Sequence, residues 1–356
     1  MNYKILVINP GSTSTKIAIY EDGNLLKKDN IKHPVDEIKQ YKRIIDQLEF
    51  RINVVEKWLN EHDVKLEELD AVVGRGGLLK PIPGGTYEVN EKMVEDLKNG
   101  LQGEHASNLG GIIAYRIAKP LGIPAFIVDP VVVDEMDEIA KVTGLVEIKR
   151  RSIFHALNQK QVARKAAEAL GKAYEDVNLI VVHLGGGVSI GMHRKGKVVD
   201  VNNALNGDGP FAPERAGSLP VWDTLSLAMS GRYTQEEWKK KLAGKGGIVA
   251  HLGTNDMREV EERVKNGDKH AEFIYRAMAY NIAKWIGMMA PVTGGDVDAI
   301  VITGGLAYDE MFVSWIKERV SFIAQVMVFP GEDEMQALME GALRVLKGEE
   351  KAKIYN

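Results

Sequence analysis

The sequence contains no cysteine among its 356 residues. This absence excludes disulfides, cysteine-ligated iron–sulfur clusters and cysteine nucleophiles, and it fits a reducing compartment. A strong excess of charge of one sign is also missing, because the formal net charge is only -4. The sequence therefore gives no electrostatic reason to expect a nucleic acid or an anionic membrane surface as a partner.

Long apolar runs are missing as well. The N-terminal residues lead directly into a strand-like segment, residues 5–9, without the longer apolar stretch of a signal peptide. The most apolar helix candidate, residues 273–292, carries Arg276, Asn281 and Lys284, which a membrane span rarely tolerates. We therefore expect a cytoplasmic protein without membrane segments.

A pattern of apolar strands and small-residue turns occurs twice in the chain. Residues 4–20 are typical of two strands joined by a turn at residues 10–14, and a third strand follows. Residues 179–199 have the same order, with the first turn at residues 185–187. Each copy predicts a three-stranded meander.

Two further segments, residues 70–77 and 298–305, resemble each other, and both are typical of buried strands that end in a glycine turn. Helical patterns separate the strands, which indicates an α/β protein. A chain of this length is too long for one ordinary core. We therefore expect two related domains that face one another, with a single sheet and two chance hairpins as the alternative.

Several common site motifs fail on inspection. A P-loop requires serine or threonine after Gly-Lys, but Gly246 follows Lys245. A dinucleotide fingerprint fails because Gly191 stands one residue too far along and a strand follows it. The zinc-protease motif H-E-x-x-H is absent from the sequence.

The two small-residue turns can instead hold phosphate, because small side chains let backbone N–H groups approach a phosphate closely. Residues 9–14 add amide and hydroxyl donors, and Lys16 adds a positive charge. Residues 183–187 offer nearly bare backbone. Together the two turns indicate a polyphosphate site, and a plain hairpin turn is the alternative for each.

Two arginines stand beside such turns. Arg75 lies between Gly74 and Gly76 at the end of an apolar strand, where a guanidinium in a close-packed turn can clamp a carboxylate or phosphate. Arg215 lies in a loop rich in turn residues, residues 206–217, and a surface arginine on a flexible loop is its alternative.

Three other polar residues have simple structural interpretations. Asp129 follows an apolar strand, where open α/β sheets place ligand-binding residues, although it can also cap a helix. His155 has apolar neighbours and on that basis is a core residue. Glu334 is a favourable charge in a first helical turn. We interpret the remaining conspicuous histidines as structural or surface residues: His33, His105 and His251.

At this point the sequence resembles the acetate and butyrate kinases of the acetokinase family, within the actin and sugar-kinase superfamily. ILVINPGSTSTK (residues 5–16) and VVHLGGG (residues 181–187) resemble the family's phosphate motifs, and IVITGG (residues 300–305) resembles its adenosine motif. The stretches that are similar to the butyrate kinase branch in particular are GRGGLLKPIPGGTY (74–87), GEHASNLGG (103–111), FIVDPVVVDE (126–135), SIFHALNQK (152–160) and EGALRVLKGEEKAKIY (340–355).

The resemblance implies two duplicated actin-like, ribonuclease H-like α/β domains that face a nucleotide cleft. Residues 1–155 would form the acyl-substrate-side domain, completed by a C-terminal helix at about 335–356, and residues 156–334 the nucleotide-binding domain. The implied reaction is reversible, Mg²⁺- and ATP-dependent phosphorylation of a short-chain fatty acid, butyrate or a branched analogue, to acyl phosphate and ADP. The resemblance also implies a homo-oligomer. We expect direct in-line transfer, and the mild charge gives no reason to expect a nucleic-acid or membrane partner.

The resemblance assigns catalytic roles to residues of both domains. Asn9 would contact the transferring phosphoryl group, Arg75 would hold the substrate carboxylate, and Arg215 would neutralise phosphoryl charge. His155 would hydrogen-bond an equatorial phosphoryl oxygen. Asp129 and Glu334 would organise the Mg²⁺ shell, with Asp333 as the alternative to Glu334.

Nucleotide-side roles follow from the same resemblance. The residues implied to contact phosphates are Ser12, Ser14, Lys16, His183, Gly185, Gly186 and Gly187. The residues implied to line the adenosine site are Asp256, Arg258, Gly304 and Gly305.

Two rival interpretations stay open at this point. A sugar kinase of the same superfamily would use an aspartate such as Asp129 as a base, but Arg75 would be superfluous for a neutral sugar. A nucleotide switch resembling actin or a chaperone ATPase would need a polymer or peptide interface, and no long extra segment is present for one.

Overall fold

The computed structural model describes residues 2–356, which form two compact units. The first unit comprises the chain up to Val133 together with Asp333–Asn356, and the second comprises Asp134–Glu332. Within residues 2–356, none of the helices combines the length and the apolar character needed to cross a membrane.

The strands of both units are short and mostly buried. In chain order they are β1 (Lys4–Pro10), β2 (Ser14–Glu21), β3 (Asn24–Lys32), β4 (Ala71–Arg75), β5 (Thr86–Glu88), β6 (Ala125–Val128), β7 (Asn178–Leu184), β8 (Val188–Arg194), β9 (Lys197–Val201), β10 (Ala299–Gly304), β11 (Val326–Pro330) and β12 (Lys353–Ile354).

Helices connect these strands. The α-helices are α1 (Val35–Ile38), α2 (Leu48–Glu61), α3 (Glu91–Asn99), α4 (Asn108–Leu121), α5 (Ala156–Ala169), α6 (Val221–Met229), α7 (Gln235–Leu242), α8 (Ile248–Leu252), α9 (Met257–Lys265), α10 (Lys269–Met289), α11 (Glu310–Val320) and α12 (Glu334–Leu346). Short 3₁₀ turns lie at Ile44–Gln47, Leu66–Glu68, Glu138–Lys141, Tyr174–Asp176, Ala290–Thr293 and Gly305–Tyr308.

The first unit contains a seven-stranded sheet in the order β12-β5-β6-β4-β1-β2-β3. β1, β2 and β3 pair antiparallel in succession, which confirms the first predicted meander. β1 also pairs with β4, and β4 with β6, both in parallel. Because β1 is buried along almost its whole length, its apolar run reads continuously rather than alternating.

The second unit contains a five-stranded sheet in the order β11-β10-β7-β8-β9. β7, β8 and β9 form the second predicted meander, and β10 pairs in parallel with β7 and with β11. β4 beside β1 and β10 beside β7 thus occupy equivalent places. This repetition confirms the two-sheet α/β fold and explains why residues 70–77 resemble residues 298–305.

Each sheet is covered by helices that present apolar side chains. In the first unit, α2, α3 and α4 contribute to one core with the sheet. In the second unit, α10 and α11 pack in the larger core. The small residues of α5, such as Ala163 and Ala166, instead form a separate cluster with Val181 and Val301.

The segment between the units differs from the sequence-based boundary, which placed residues up to 155 in the first domain. Residues 134–155 belong to the second unit. The Asp137 N–H donates to Val199 O at 2.9 Å, and Arg150 Nη1 donates to Asp200 Oδ1 at 2.8 Å, both on β9. Buried Lys160 Nζ also pairs with Glu135 Oε2 at 2.8 Å. Hydrogen bonds to one sheet therefore decide where this segment packs.

Glycines let β4 and α4 touch backbone to backbone. A Cβ at Gly74 would overlap Gly110 O, and a Cβ at Gly110 would overlap Arg75 O. A Cβ at Gly76 would lie 2.6 Å from Pro130 Cβ. From the sequence, the glycines beside Arg75 are expected to make space for its guanidinium. In the structure the close approach of the α4 backbone requires Gly74, and the side chain of Pro130 requires Gly76.

We expect Gly74→Ala to lower the free energy of unfolding by about 2 kcal/mol or more, because the added methyl must displace the backbone of α4. Gly287→Ala in α10 is the matched control, since a Cβ there meets nothing within 4 Å, and alanine favours a helix. Denaturant unfolding measures both variants. Equal stability of the Gly74 variant and the wild type would contradict the packing argument.

Candidate active site

A glutamate joins two of the predicted site residues in the first unit. Glu334, at the start of α12, accepts a hydrogen bond from Asn9 Nδ2 at 2.8 Å and pairs with Arg75 Nη1. Asp333 has a different task, because its Oδ1 accepts from Gln336 N at 3.1 Å and caps α12. Glu334, not Asp333, therefore lies with Asn9 and Arg75.

The charge of Glu334 is maintained although the side chain is largely buried. Burial disfavours the ionised form, but the Arg75 charge and the hydrogen bonds from Arg75 and Asn9 outweigh it. The Lys16 charge acts in the same direction. The pKa of Glu334 therefore lies below its ordinary value, and the group is a carboxylate at neutral pH.

Within the part of the chain that the structure describes, the Arg75 guanidinium is hydrogen-bonded through only one of its nitrogens. A guanidinium has five N–H donors in a planar fork. Across residues 2–356, Glu334 is the only hydrogen-bond acceptor that the Arg75 guanidinium contacts, and the contact is made through Nη1. The rest of the fork is oriented by this contact, and 21% of the side chain is exposed. The residue can therefore bind a second anion in a planar, two-bond arrangement.

The first small-residue turn is supported from below by an arginine that the sequence analysis missed. The Gly11 N–H donates to Ser14 O at 2.8 Å and closes the turn. Arg51 on α2, completely buried, donates through Nη1 to Ser14 O at 2.7 Å and through Nη2 to Ser12 O at 3.4 Å. A polar residue on the buried face of a helix was the available signal.

His33 belongs to the same support, although no partner for it is evident from the sequence. Thr15 Oγ1 accepts from Arg51 Nη1 at 2.9 Å and lies 2.8 Å from His33 Nε2. Burial, with a smaller effect of the Arg51 charge, lowers the pKa of His33 to about 4. Burial likewise lowers the pKa of Arg51, to about 10. His33 is therefore neutral and accepts the Thr15 proton.

Asp129 lies at the end of β6 in a left-handed backbone conformation, with φ at 38°. Its Oδ1 accepts from the Gly85 N–H at 2.6 Å, and the residue is buried. The side chain thus ties the end of β6 to a loop rather than capping a helix. Among residues 2–356, no cluster of three or more histidine, aspartate or glutamate side chains is arranged to hold a metal ion.

His105 is a second residue that the sequence analysis set aside. It lies just before α4, with Nδ1 2.8 Å from Ser107 Oγ. Burial lowers its pKa, and the Arg75 charge lowers it further. His105 therefore lies within electrostatic reach of Arg75. Its place in the stretch GEHASNLGG was the available signal.

In the second unit, two of the predicted residues stack on each other. The rings of His155 and His183 lie 3.7 Å apart between centroids and are 9° from parallel. His183 Nδ1 lies 2.7 Å from Asn158 Oδ1, and its Nε2 lies 3.0 Å from Glu332 Oε1. His155 precedes α5 without capping it, and its Nδ1 lies 2.9 Å from Ser189 Oγ. The ring of His155 thus contacts a serine hydroxyl and a second histidine, and the residue is only partly buried.

The second small-residue turn meets Arg215. The Gly185 N–H donates to Gly187 O at 3.1 Å within the turn. A Cβ at Gly187 would overlap Arg215 Nη1, which donates to Ala204 O at 2.6 Å. Burial lowers the pKa of Arg215, and the neighbouring Glu214 charge opposes this effect. Arg215 is therefore a half-buried cation against the turn, not a free surface arginine.

The four residues assigned to adenosine fall into two pairs. Gly304 ends β10 with φ at 91°, and a Cβ there would overlap Leu184 O, whereas a Cβ at Gly305 would meet nothing within 4 Å. Asp256 caps α9 and pairs with Arg258 at 2.7 Å on the surface. Hydrogen bonds from Arg258 lower the pKa of Asp256 to about 2. The role of all four residues in binding a nucleotide stays a prediction.

Comparison with known proteins decides the family. The model of the acetokinase family matches residues 141–338, more than half of the chain. The chain belongs to the acetokinase family. The matched residues include the stacked histidines and the second turn, in the second unit, and Glu334, in the first.

Solved structures of acetokinase-type enzymes share the fold over nearly the whole chain. Acetate kinase from Porphyromonas gingivalis has a TM-score of 0.79 at 21% identity, covering 97% of this chain and 100% of that one. Acetate kinase from Entamoeba histolytica has a TM-score of 0.75 at 17% identity, covering 96% and 98%. A propionate kinase from Francisella tularensis subsp. tularensis SCHU S4 has a TM-score of 0.73 at 19% identity, covering 95% and 98%.

We expect acid to destabilise the first unit through His33. Its pKa is about 4 when folded and 6.5 ordinarily, so the unfolded state binds the proton more tightly between these values. Stability conferred by neutral His33 should be fully present above pH 6.5 and fall, by up to about 3 kcal/mol, as the pH drops to about 4.

Urea unfolding of wild type and His33→Gln across this pH range measures the effect. The control variant retains a polar group at position 33 but cannot titrate there. The prediction is contradicted if the two proteins lose stability equally between pH 6.5 and 4.

Proposed function

We propose that this acetokinase-family protein transfers the γ-phosphoryl group of ATP to a short-chain carboxylate, giving an acyl phosphate and ADP. The proposal is supported chiefly by Arg75, which Glu334 holds through one N–H while the rest of its planar fork is oriented for a second anion. Family membership favours a carboxyl group as the acceptor.

The chemistry needs electrostatics more than acid–base catalysis. A carboxylate is ionised at neutral pH and is already a nucleophile, so no strong base is required. The main obstacle is repulsion between the carboxylate and the phosphates. Arg75 would bind and orient the acid, and the Asn9 amide would contact the phosphoryl group.

Residues of the second unit would stabilise the phosphates. The backbone of residues 185–187 offers N–H groups, and Arg215 places a cation against the same turn. His155 would donate an N–H group to a phosphoryl oxygen, where negative charge is present in the transition state, and His183 would lie on the phosphate side beside it. We propose in-line transfer without a phosphorylated enzyme.

The carboxylate side chains of Glu334 and Asp129 are of a type that binds Mg²⁺. When bound, Mg²⁺ would neutralise phosphate charge, and it commonly keeps waters and takes few protein ligands. Glu334 and Asp129 supply carboxylate oxygens, the ligand type that Mg²⁺ prefers. Glu334 is the more accessible of the two, because Asp129 is only 2% exposed. We propose both as groups that would hold the hydrated ion.

The preferred acid is proposed to be butyrate or a branched analogue rather than acetate. Support comes from five stretches that resemble the butyrate kinase branch, among them residues 74–87, which include Arg75. A sugar kinase is disfavoured, because a neutral sugar would not require the oriented guanidinium of Arg75.

Trapping with hydroxylamine tests the activity. Purified protein with ATP, Mg²⁺ and acetate, propionate, butyrate, isobutyrate or valerate should form acyl hydroxamate, fastest with the four- or five-carbon acids. An ATP-free reaction and an Asn9→Ala variant are the controls. A protein that forms no hydroxamate with any of the acids would refute the proposed function, and a clear preference for acetate would refute only the chain length.

Removing the Arg75 guanidinium separates acid binding from nucleotide binding. We expect Arg75→Ala to raise the KM for the acid by about 10-fold or more, because a charge-assisted pair is lost, and to change the KM for ATP much less. Arg116→Ala, which removes an exposed pair with Glu49 in the same unit, is the matched control. An unchanged KM for the acid would contradict the clamp.

A further inference from the structure

A chain of buried hydrogen bonds leads from the interior of the second unit to His155. Tyr174 Oη lies 2.7 Å from His193 Nδ1, and His193 Nε2 lies 3.0 Å from Gln159 Oε1. Gln159 Nε2 donates to Ser189 Oγ at 2.8 Å, and Ser189 Oγ lies 2.9 Å from His155 Nδ1. Gln159, Ser189 and His193 are completely buried. Each proton in this chain therefore has a defined place.

The Gln159 amide sets the direction of the chain. Its Nε2 also lies 3.1 Å from the backbone carbonyl of Ser189, which can only accept. The NH₂ group must therefore face Ser189, and the amide oxygen must face His193. Gly191 provides the space, since a Cβ there would lie 2.7 Å from Gln159 Oε1.

The inner half of the chain follows from this orientation. Because Gln159 Oε1 accepts, His193 Nε2 must carry the ring proton, and Nδ1 then accepts from the Tyr174 hydroxyl. Burial, with the charges of Lys160 and Arg164, lowers the pKa of His193 well below its ordinary value. A neutral ring with a single proton satisfies both of its contacts.

The outer half follows in the same way. Ser189 Oγ accepts a hydrogen bond from the Gln159 NH₂ group, and the hydroxyl has one proton of its own to donate. Among residues 2–356, the other side chain that this hydroxyl contacts is His155, at Nδ1. The Ser189 proton therefore points to His155 Nδ1, which must act as an acceptor.

We propose that Gln159, Ser189 and His193 are positioning residues that keep the proton of neutral His155 on Nε2. His155 then has Nδ1 occupied as an acceptor and carries its proton on Nε2, and an N–H donor is what a phosphoryl oxygen requires. The catalytic consequence rests on the proposed function, whereas the proton position does not.

Nitrogen NMR of protein labelled with ¹⁵N-histidine tests this inference. The His155 signals are assigned by their loss in His155→Asn and followed with pH to find the range where the ring is neutral. We expect neutral His155 to carry its proton on Nε2 in the wild type. A wild-type proton on Nδ1 would overturn the proposal.

Gln159→Met tests the role of the amide while keeping its volume. Without the incoming N–H, Ser189 can accept from His155 as well as donate, so a population protonated on Nδ1 should appear. We expect kcat to fall roughly 10-fold, with both KM values within about 2-fold, because a donor used in the transition state is partly lost. An unchanged His155 tautomer would overturn the proposal.

Two further variants keep the test decisive. Gln161→Met, at another buried glutamine on α5, is the matched control and should leave the tautomer unchanged. If Gln159→Met fails to fold, Gly191→Ala displaces the same amide oxygen and should give the same spectral change, and an unchanged tautomer in it would likewise overturn the proposal. Because the spectra need no substrate, a shift in an inactive protein would support the positioning role while the proposed function fails.

Discussion

The ion pair between Arg75 and Glu334 is the interaction on which the first unit's site depends. It joins the end of β4 to the start of α12, and the Asn9 amide adds the end of β1 to the same carboxylate. Three segments that are far apart in sequence therefore meet at one group. The Arg75 charge helps to keep the largely buried Glu334 ionised. The pair also aims the rest of the guanidinium, so the contact that stabilises the fold also prepares the anion site.

Buried polar groups have a comparable role around both small-residue turns. Arg51 and His33 support the first turn through hydrogen bonds, and neither relies on a surface ion pair. In the second unit, Gln159 and Ser189 connect the interior to His155. A buried donor or acceptor left without a partner is costly, so these networks have few alternative arrangements. These networks therefore hold the first turn and the His155 ring in defined orientations.

Much of the fold followed from periodicity. Both meanders lie where the apolar runs and glycine turns predicted them, and so do the equivalent strands β4 and β10 of the two sheets. These patterns are local, so they can be recognised in the sequence. Two local interpretations needed correction. Gly74 allows backbone contact with α4, Gly76 makes room for Pro130, and residues 134–155 pack with the second unit. The buried helix face on which Arg51 stands marks it as unusual, but neither Arg51 nor Gln159 carries any local mark of its distant partner.

The sequence by itself determined the two strand meanders, their small-residue turns and the resemblance to acetokinases, because these reside in short contiguous stretches. Tertiary structure alone decided that Glu334 rather than Asp333 contacts Arg75, that Arg51 lies beneath the first turn, and which ring nitrogen of His155 faces Ser189. Each of these depends on a distance or an angle between atoms that are remote along the chain. Such geometry arises only when the cores pack, and no local pattern encodes it.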